Sequence, residues 1–154
     1  MAYYYDDLEV GQIFTLPSRT VTETDLMSFA MLSGDWNPIH TDKEFTKGTI
    51  YGRPIVYGLL TLSIVTGLLD RSGLFSGSAM AMLGVREWNF RGPVFVGDTI
   101  HATVQIASKR LSSKGDRGIV GRVFRVYNQR GEIVQEGEIG LLIRLAPQRA
   151  EQEA

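Results

Sequence analysis

The longest apolar signal in the chain covers residues 55–69, IVYGLLTLSIVTGLL, where no charged side chain occurs. Apolar positions fall on every side of a helical wheel, the pattern of a helix buried all round. The stretch is shorter than the roughly 20 apolar residues of a membrane span. As a helix it would be about 22 Å long. The C-terminal half alternates instead. Ile100, Ala102, Val104 and Ile106 interleave with Thr99, His101, Thr103 and Gln105, and Ile139, Leu141, Ile143 and Leu145 repeat the period of two. Such alternation marks half-buried strands. Four are predicted, over residues 80–90, 99–106, 118–127 and 132–145, with Asn128-Gln129-Arg130-Gly131 as a hairpin turn.

Upstream the pattern is weaker. Residues 1–10 read as a tail, followed by short extended pieces at Ile13-Phe14 and Thr20-Val21-Thr22. Thr22 or Thr24 offers an N-cap, and Asp25 suits the first turn of a helix. Leu26, Phe29 and Ala30 give helical spacing to about Ser33, where Gly34 supplies a C-terminal cap. Over residues 35–53 neither period persists. A connection this long inside a compact domain is usually functional or disordered. Trp36, Ile39, Phe45, Ile50 and Tyr51 give it something to bury, so an ordered overhang is expected. Residues 147–154 are polar and read as a second tail.

Short turns between successive strands favour antiparallel pairing. The predicted fold is therefore α+β, one domain over residues 1–154, with an antiparallel sheet wrapped around one long buried helix in a hot-dog arrangement. A single sheet around one helix leaves edge strands open, so a homodimer is expected.

Composition narrows the chemistry. Sixteen basic and 17 acidic residues leave a formal charge of -1, which offers no global attraction to nucleic acid or an anionic membrane. No cysteine is present, which excludes disulfides, thiolate nucleophiles and cysteine metal sites. The N-terminus, MAYYYDDLEVGQ, lacks the basic start and apolar run of a signal peptide, so a cytoplasmic location is expected.

The chemistry concentrates in SGDWNPIH, residues 33–40, which carries Asp35, Asn37 and His40. Residues five apart diverge on a helix and lie on opposite faces of a strand. Pro38 breaks a continuous helix and pushes Asn37 toward an extended conformation. A turn can then bring the carboxylate and the imidazole together, a pair able to take a proton from water and return one to an adjacent carbon. The plainer reading is that Asp35 caps a turn and His40 hydrogen-bonds loop backbone. Asp42 could join Asp35 and His40 as a metal ligand, but no regular element places all three together, so no metal is expected.

Residues 29–40, FAMLSGDWNPIH, resemble the signature of the MaoC-like dehydratases, especially the R-specific enoyl-CoA hydratases. The similarity continues through Arg53-Pro54-Ile55-Val56-Tyr57-Gly58 and through Phe90-Arg91-Gly92-Pro93-Val94 to Gly97-Asp98. The resemblance implies a hot-dog homodimer that reversibly adds water to a trans-2-enoyl-CoA to give the R-3-hydroxyacyl thioester. It implies Asp35 and His40 as the water-activating pair, Asn37 as the residue that orients them or the water, and the Gly58 amide as the group that polarises the carbonyl. Tyr57, Thr66 and Trp36 are expected against the substrate. No cofactor is implied beyond the coenzyme A or phosphopantetheine of the substrate itself.

The Gly58 role requires a helix that begins near Val56 or Tyr57, because only first-turn amides lack intrahelical partners. The alternative is that Gly58 only permits close helix–sheet packing. Three positions depart from the family pattern. Thr46 replaces a small residue, Tyr57 replaces a histidine, and Thr66 stands where a serine is common. They bear on acyl selectivity rather than on the water-activating pair. Hot-dog folds also host thioesterases, so a thioesterase and a non-catalytic acyl-CoA-binding module remain alternatives. His101 is expected to face solvent or a partner subunit. Lys109, Arg110, Lys114 and Arg117 read as a solvated hairpin tip, with CoA phosphates as the other reading.

Overall fold

The structure, a computed structural model, describes residues 2–147. Its six strands are β1 (Ile13–Thr15), β2 (Arg19–Thr20), β3 (Ala79–Phe90), β4 (Thr99–Leu111), β5 (Arg117–Tyr127) and β6 (Ile133–Arg144). They form one antiparallel sheet in the order β1-β4-β5-β6-β3, with β2 also paired to β4. Its helices are α1 (Glu23–Ser33), two single turns α2 (Pro38–Thr41) and α3 (Lys43–Thr46), and α4 (Gly58–Arg71). The inner-face residues Ile100, Ala102, Val104, Phe124 and Val126 close on Leu60, Ile64, Val65 and Leu68 of α4. Burial of each such side chain contributes about 1.5–3 kcal/mol. This is the hot-dog arrangement that the alternating strands and the long apolar helix predict.

Three differences from the sequence expectation have physical causes. First, β4 runs five residues beyond Ile106, to Leu111. A register shift between Ile106 and Ser108 breaks the period of two there, and with it the sequence signal. Second, residues 2–10 are not a loose tail. Leu8 is 1% exposed, in a second core cluster with Phe75, Ile106 and Val120. Lys109 Nζ donates to the carbonyls of Tyr5 at 2.9 Å and Leu8 at 2.7 Å, so this lysine clamps the N-terminal segment instead of sitting at a solvated tip. The tail expected at the C-terminus lies, from residue 148 on, outside the described residues.

Third, α4 is not buried all round. Leu59, Ser63, Thr66, Gly67 and Asp70 form one exposed stripe, because the sheet of one chain covers only one side of the helix. β3, the neighbouring edge strand, exposes Met80, Met82, Leu83, Val85 and Phe90. An apolar edge beside an uncovered helix face is the surface a second copy would complete.

Candidate active site

The loop that carries Asp35 and His40 is set by the helix before it. Thr22 caps α1, its hydroxyl accepting from Asp25 N–H at 3.2 Å while Asp25 Oδ2 accepts from Thr22 N–H at 2.8 Å. Burial pushes the Asp25 carboxyl upward, but hydrogen bonds from Thr22 and Arg19 outweigh it and hold the group below its usual range. At the other end Gly34 adopts φ 72° and donates to Ala30 O at 2.9 Å. A side chain would be strained in that left-handed conformation, which turns the chain directly into Asp35.

From there each polar side chain starts the next turn. Asp35 Oδ1 accepts from Asn37 N–H at 3.1 Å, and Asn37 Oδ1 accepts from Ile39 N–H at 3.0 Å. Asn37 is extended, at φ -53° and ψ 130°, and caps α2, with Pro38 as its first residue. Asp42 Oδ1 caps α3 in the same way, through Glu44 N–H and Phe45 N–H at 2.9 Å each. Both turns are too short to show periodicity, so residues 35–53 read as irregular. In both turns the side-chain oxygen is taken up by backbone, Asn37 Oδ1 at α2 and Asp42 Oδ1 at α3.

His40 Nδ1 lies 2.7 Å from Ile55 O. A carbonyl only accepts, so Nδ1 carries the hydrogen and Nε2 presents a lone pair. The imidazole stacks on Tyr57, ring centroids 3.8 Å apart, and the Tyr57 hydroxyl donates to Asp35 O. Tyr57 is only 3% exposed. Burial, and then the Asp35 carboxylate, raise its phenol above the usual value, so it remains a donor at neutral pH. Tyr57 was expected against substrate. The structure instead buries it as a support for His40, through its ring, and for the Asp35 backbone, through its hydroxyl.

Gly58 is the first residue of α4, and its preceding cap Tyr57 makes no side-chain cap bond. First-turn amides therefore remain available. A Cβ on Gly58 would lie 2.5 Å and 2.7 Å from ring atoms of Phe90, so the packing here requires a glycine. Its carbonyl accepts from Gln135 Nε2 at 3.0 Å, and Gln135 Oε1 accepts from Trp88 Nε1 at 3.0 Å. Gln135 is 2% exposed. The start of α4 is thus tied to β6 and β3 by a hydrogen-bond relay that the sequence reading missed, because residues 58, 88 and 135 belong to no common local pattern.

His40 and Gly58 wall one cavity of about 550 Å³ together with Phe90 and Pro93. Asp35 does not line it. That residue sits exposed on the overhang, linked to His40 through Tyr57, which bonds its carbonyl and stacks on the imidazole. Trp36 is 52% exposed and offers its carbonyl to Thr41 Oγ1, with no side-chain contact to the dyad. Thr66 is also apart. It lies about two turns beyond Gly58, donates to Ser63 O, and walls a different cavity with Arg122. Among the described residues no three His, Asp or Glu side chains converge as a metal site.

The chain matches the model of the MaoC like domain over residues 8–126. It is 37% identical over 131 residues to an (R)-specific enoyl-CoA hydratase of Aeromonas caviae, covering 85% of this chain and 92% of that protein. An Archaeoglobus protein named a monoamine oxidase regulatory protein superposes with a TM-score of 0.87 at 39% identity, over 95% of this chain and 97% of that one. A Mycobacterium tuberculosis protein with a double hotdog fold superposes with a TM-score of 0.84 at 20% identity, a likeness of fold alone. This chain covers 96% of itself in that match and 46% of the other chain.

Proposed function

Since the chain belongs to the MaoC-like domain family, we propose that it is a hydratase that reversibly adds water to a trans-2-enoyl-CoA or related enoyl thioester, giving the R-3-hydroxyacyl thioester. The observation that carries this reading is the cavity walled by both His40 and the first-turn residue Gly58. The hydratase from Aeromonas caviae supports the reaction class.

In this reading a thioester carbonyl accepts from the Gly58 amide. The Nε2 lone pair of His40, at the cavity wall, holds a water over the double bond, and the Asp35 carboxylate must turn in from the overhang to reach the same water. A proton passes from water to the pair as the oxygen bonds to the β-carbon, and the electron pair moves onto the thioester oxygen. The amide stabilises that oxygen while negative charge develops. A proton returned to the α-carbon from the same face completes the addition. The sum is one water gained with no change in redox state, so no cofactor is needed beyond the coenzyme A or phosphopantetheine that carries the acyl group. Dehydration is the same path reversed.

The exposed edge of β3 and the bare stripe of α4 support a homodimer, and sedimentation should give about twice the 17.1 kDa chain mass. A monomeric mass would remove that part of the proposal. No helix among the described residues is long and apolar enough to cross a membrane. The decisive experiment is turnover of a short trans-2-enoyl-CoA, with product chirality and free thiol read together. R-3-hydroxyacyl-CoA without thiol is the expected product, and thiol release with the conjugation intact would mean a thioesterase. Asp35→Asn should abolish turnover while the exposed position keeps the stability change within about 0.5 kcal/mol. Full activity in that variant would overturn the assignment of the pair.

A further inference from the structure

The inner face of β5 carries one charge. Val120, Arg122, Phe124 and Val126 alternate toward the core, and Arg122 is only 3% exposed. Its guanidinium lies 5.4 Å from the ring centroids of both Phe75 and Phe124. Nε donates to Ile139 O at 3.3 Å. Among the described residues Arg122 forms no ion pair. Burial draws its pKa down to about 10, which leaves it charged at neutral pH.

A buried cation without a counter-charge is costly, and an apolar side chain between Val120 and Phe124 would avoid that cost. Packing alone therefore does not account for an arginine here. No fully buried side-chain nitrogen among the described residues lacks a partner. Among the described residues the two terminal nitrogens of Arg122 have no protein acceptor, and Arg122 walls a cavity of about 320 Å³. The hydroxyl-bearing residues Thr66 and Ser76 line the same cavity, beside apolar Leu69, Phe75 and Ala79. A guanidinium presents a planar fork that matches a carboxylate, and the apolar walls suit a carbon chain behind it. Asp70 shares the wall without pairing to Arg122, a like charge for any anion that enters.

We infer that this cavity between α4, β3 and β5 is a binding site for an organic carboxylate, received by the buried guanidinium of Arg122. The carboxylate has two sources, a free carboxylic acid or the far end of an acyl chain on the enzyme's own substrate. The cavity lies well beyond Gly58 along α4, which suits a group distant from the thioester.

Thermal unfolding of the full chain in rising hexanoate or adipate tests the site, with sodium chloride at matched ionic strength and inorganic phosphate as comparisons. A saturable rise of the midpoint with the carboxylates alone is expected. No rise, or an equal rise with chloride or phosphate, overturns the inference. Arg122→Met keeps the volume and apolar packing and should weaken carboxylate affinity at least tenfold. An unchanged affinity places the anion elsewhere. Asp70→Asn, with the dimeric mass checked by sedimentation because Asp70 lies on the α4 stripe a second copy would cover, should tighten binding by removal of the like charge, and unchanged or weaker binding in an intact assembly would also refute the site. Turnover separates the sources. Preference for an enoyl-CoA ending in a carboxylate over its methyl-ended equal, erased in Arg122→Met, identifies the acyl tail, and equal rates identify a free ligand. Only that last arm rests on the proposed hydration, so its failure leaves the binding result to be read alone.

Discussion

Tyr57→Phe removes one oxygen from the centre of the candidate site and nothing else. The ring remains to stack on His40 at 3.8 Å and to fill its buried place beside Phe29, 5.0 Å between centroids. What disappears is the hydroxyl that donates to Asp35 O. Asp35 is exposed, so water can satisfy its carbonyl after the change. The loss should then sit near the net value of one hydrogen bond, about 0.5–1.5 kcal/mol. For a domain of this size each kcal/mol moves the unfolding midpoint by about 2–4 °C, well inside a stability of about 5–15 kcal/mol. Catalysis should suffer more. Asp35 follows left-handed Gly34 and is held from outside its own loop by this bond and by its N–H to Ser33 Oγ at 3.2 Å, and a displacement near 1 Å can cost on the order of 10²-fold in rate. We expect kcat to fall between about tenfold and a hundredfold with KM nearly unchanged, because neither the Gly58 amide nor the cavity wall is touched. Steady-state hydration kinetics beside a melting curve measure both effects. A variant that loses the stability but keeps wild-type kcat would show that the phenol holds the fold and not the dyad, and the positioning argument would fail.

Two further predictions follow from the neighbouring supports. Gln135→Leu breaks the relay from Trp88 to Gly58 and strands a partly buried indole N–H. It should cost about 1–3 kcal/mol in denaturant titration and lower kcat through the displaced start of α4. A variant with wild-type kcat and reduced stability would reduce the relay to packing. Asp25 ties α1 to the strand before it, and its folded pKa lies below the ordinary 3.8. Its contribution is therefore complete above pH 3.8 and is lost as pH falls through the lowered folded value. The stability gap between wild type and Asp25→Asn should be full near pH 7 and shrink below pH 3.8, as urea titrations across that range would record. A gap that is constant into strong acid would contradict the pairing with Thr22 and Arg19.

Much of the site was legible because its signals are local. Thr22, Gly34, Asn37 and Pro38 each act on backbone within four residues, so the capped α1 and the extended Asn37 could be read directly from the chain. The start of α4 was readable for the same reason, within a residue or two. The role of Tyr57 was not. As a substitution in a family pattern it pointed to selectivity, whereas its hydroxyl reaches Asp35, 22 residues away. Arg122 had a signal that went unused: its alternation with Val120, Phe124 and Val126 already placed it on the inner face of a strand.

The sequence by itself determined the α+β class, the antiparallel strands, the long apolar helix and the motif that carries Asp35 and His40. All of these rest on periodicity or on contacts within a few positions. Only the tertiary structure decided which face of α4 stays bare, that residues 2–10 dock under Lys109, that Thr66 lines the Arg122 cavity rather than the one walled by His40, and that Gln135 anchors Gly58. These depend on where a curved sheet runs out of surface and on pairs as far apart as Lys109 and Tyr5, separated by 104 positions. A pattern along the chain states which side of each element seeks burial. Which partner meets it is settled only when the sheet closes.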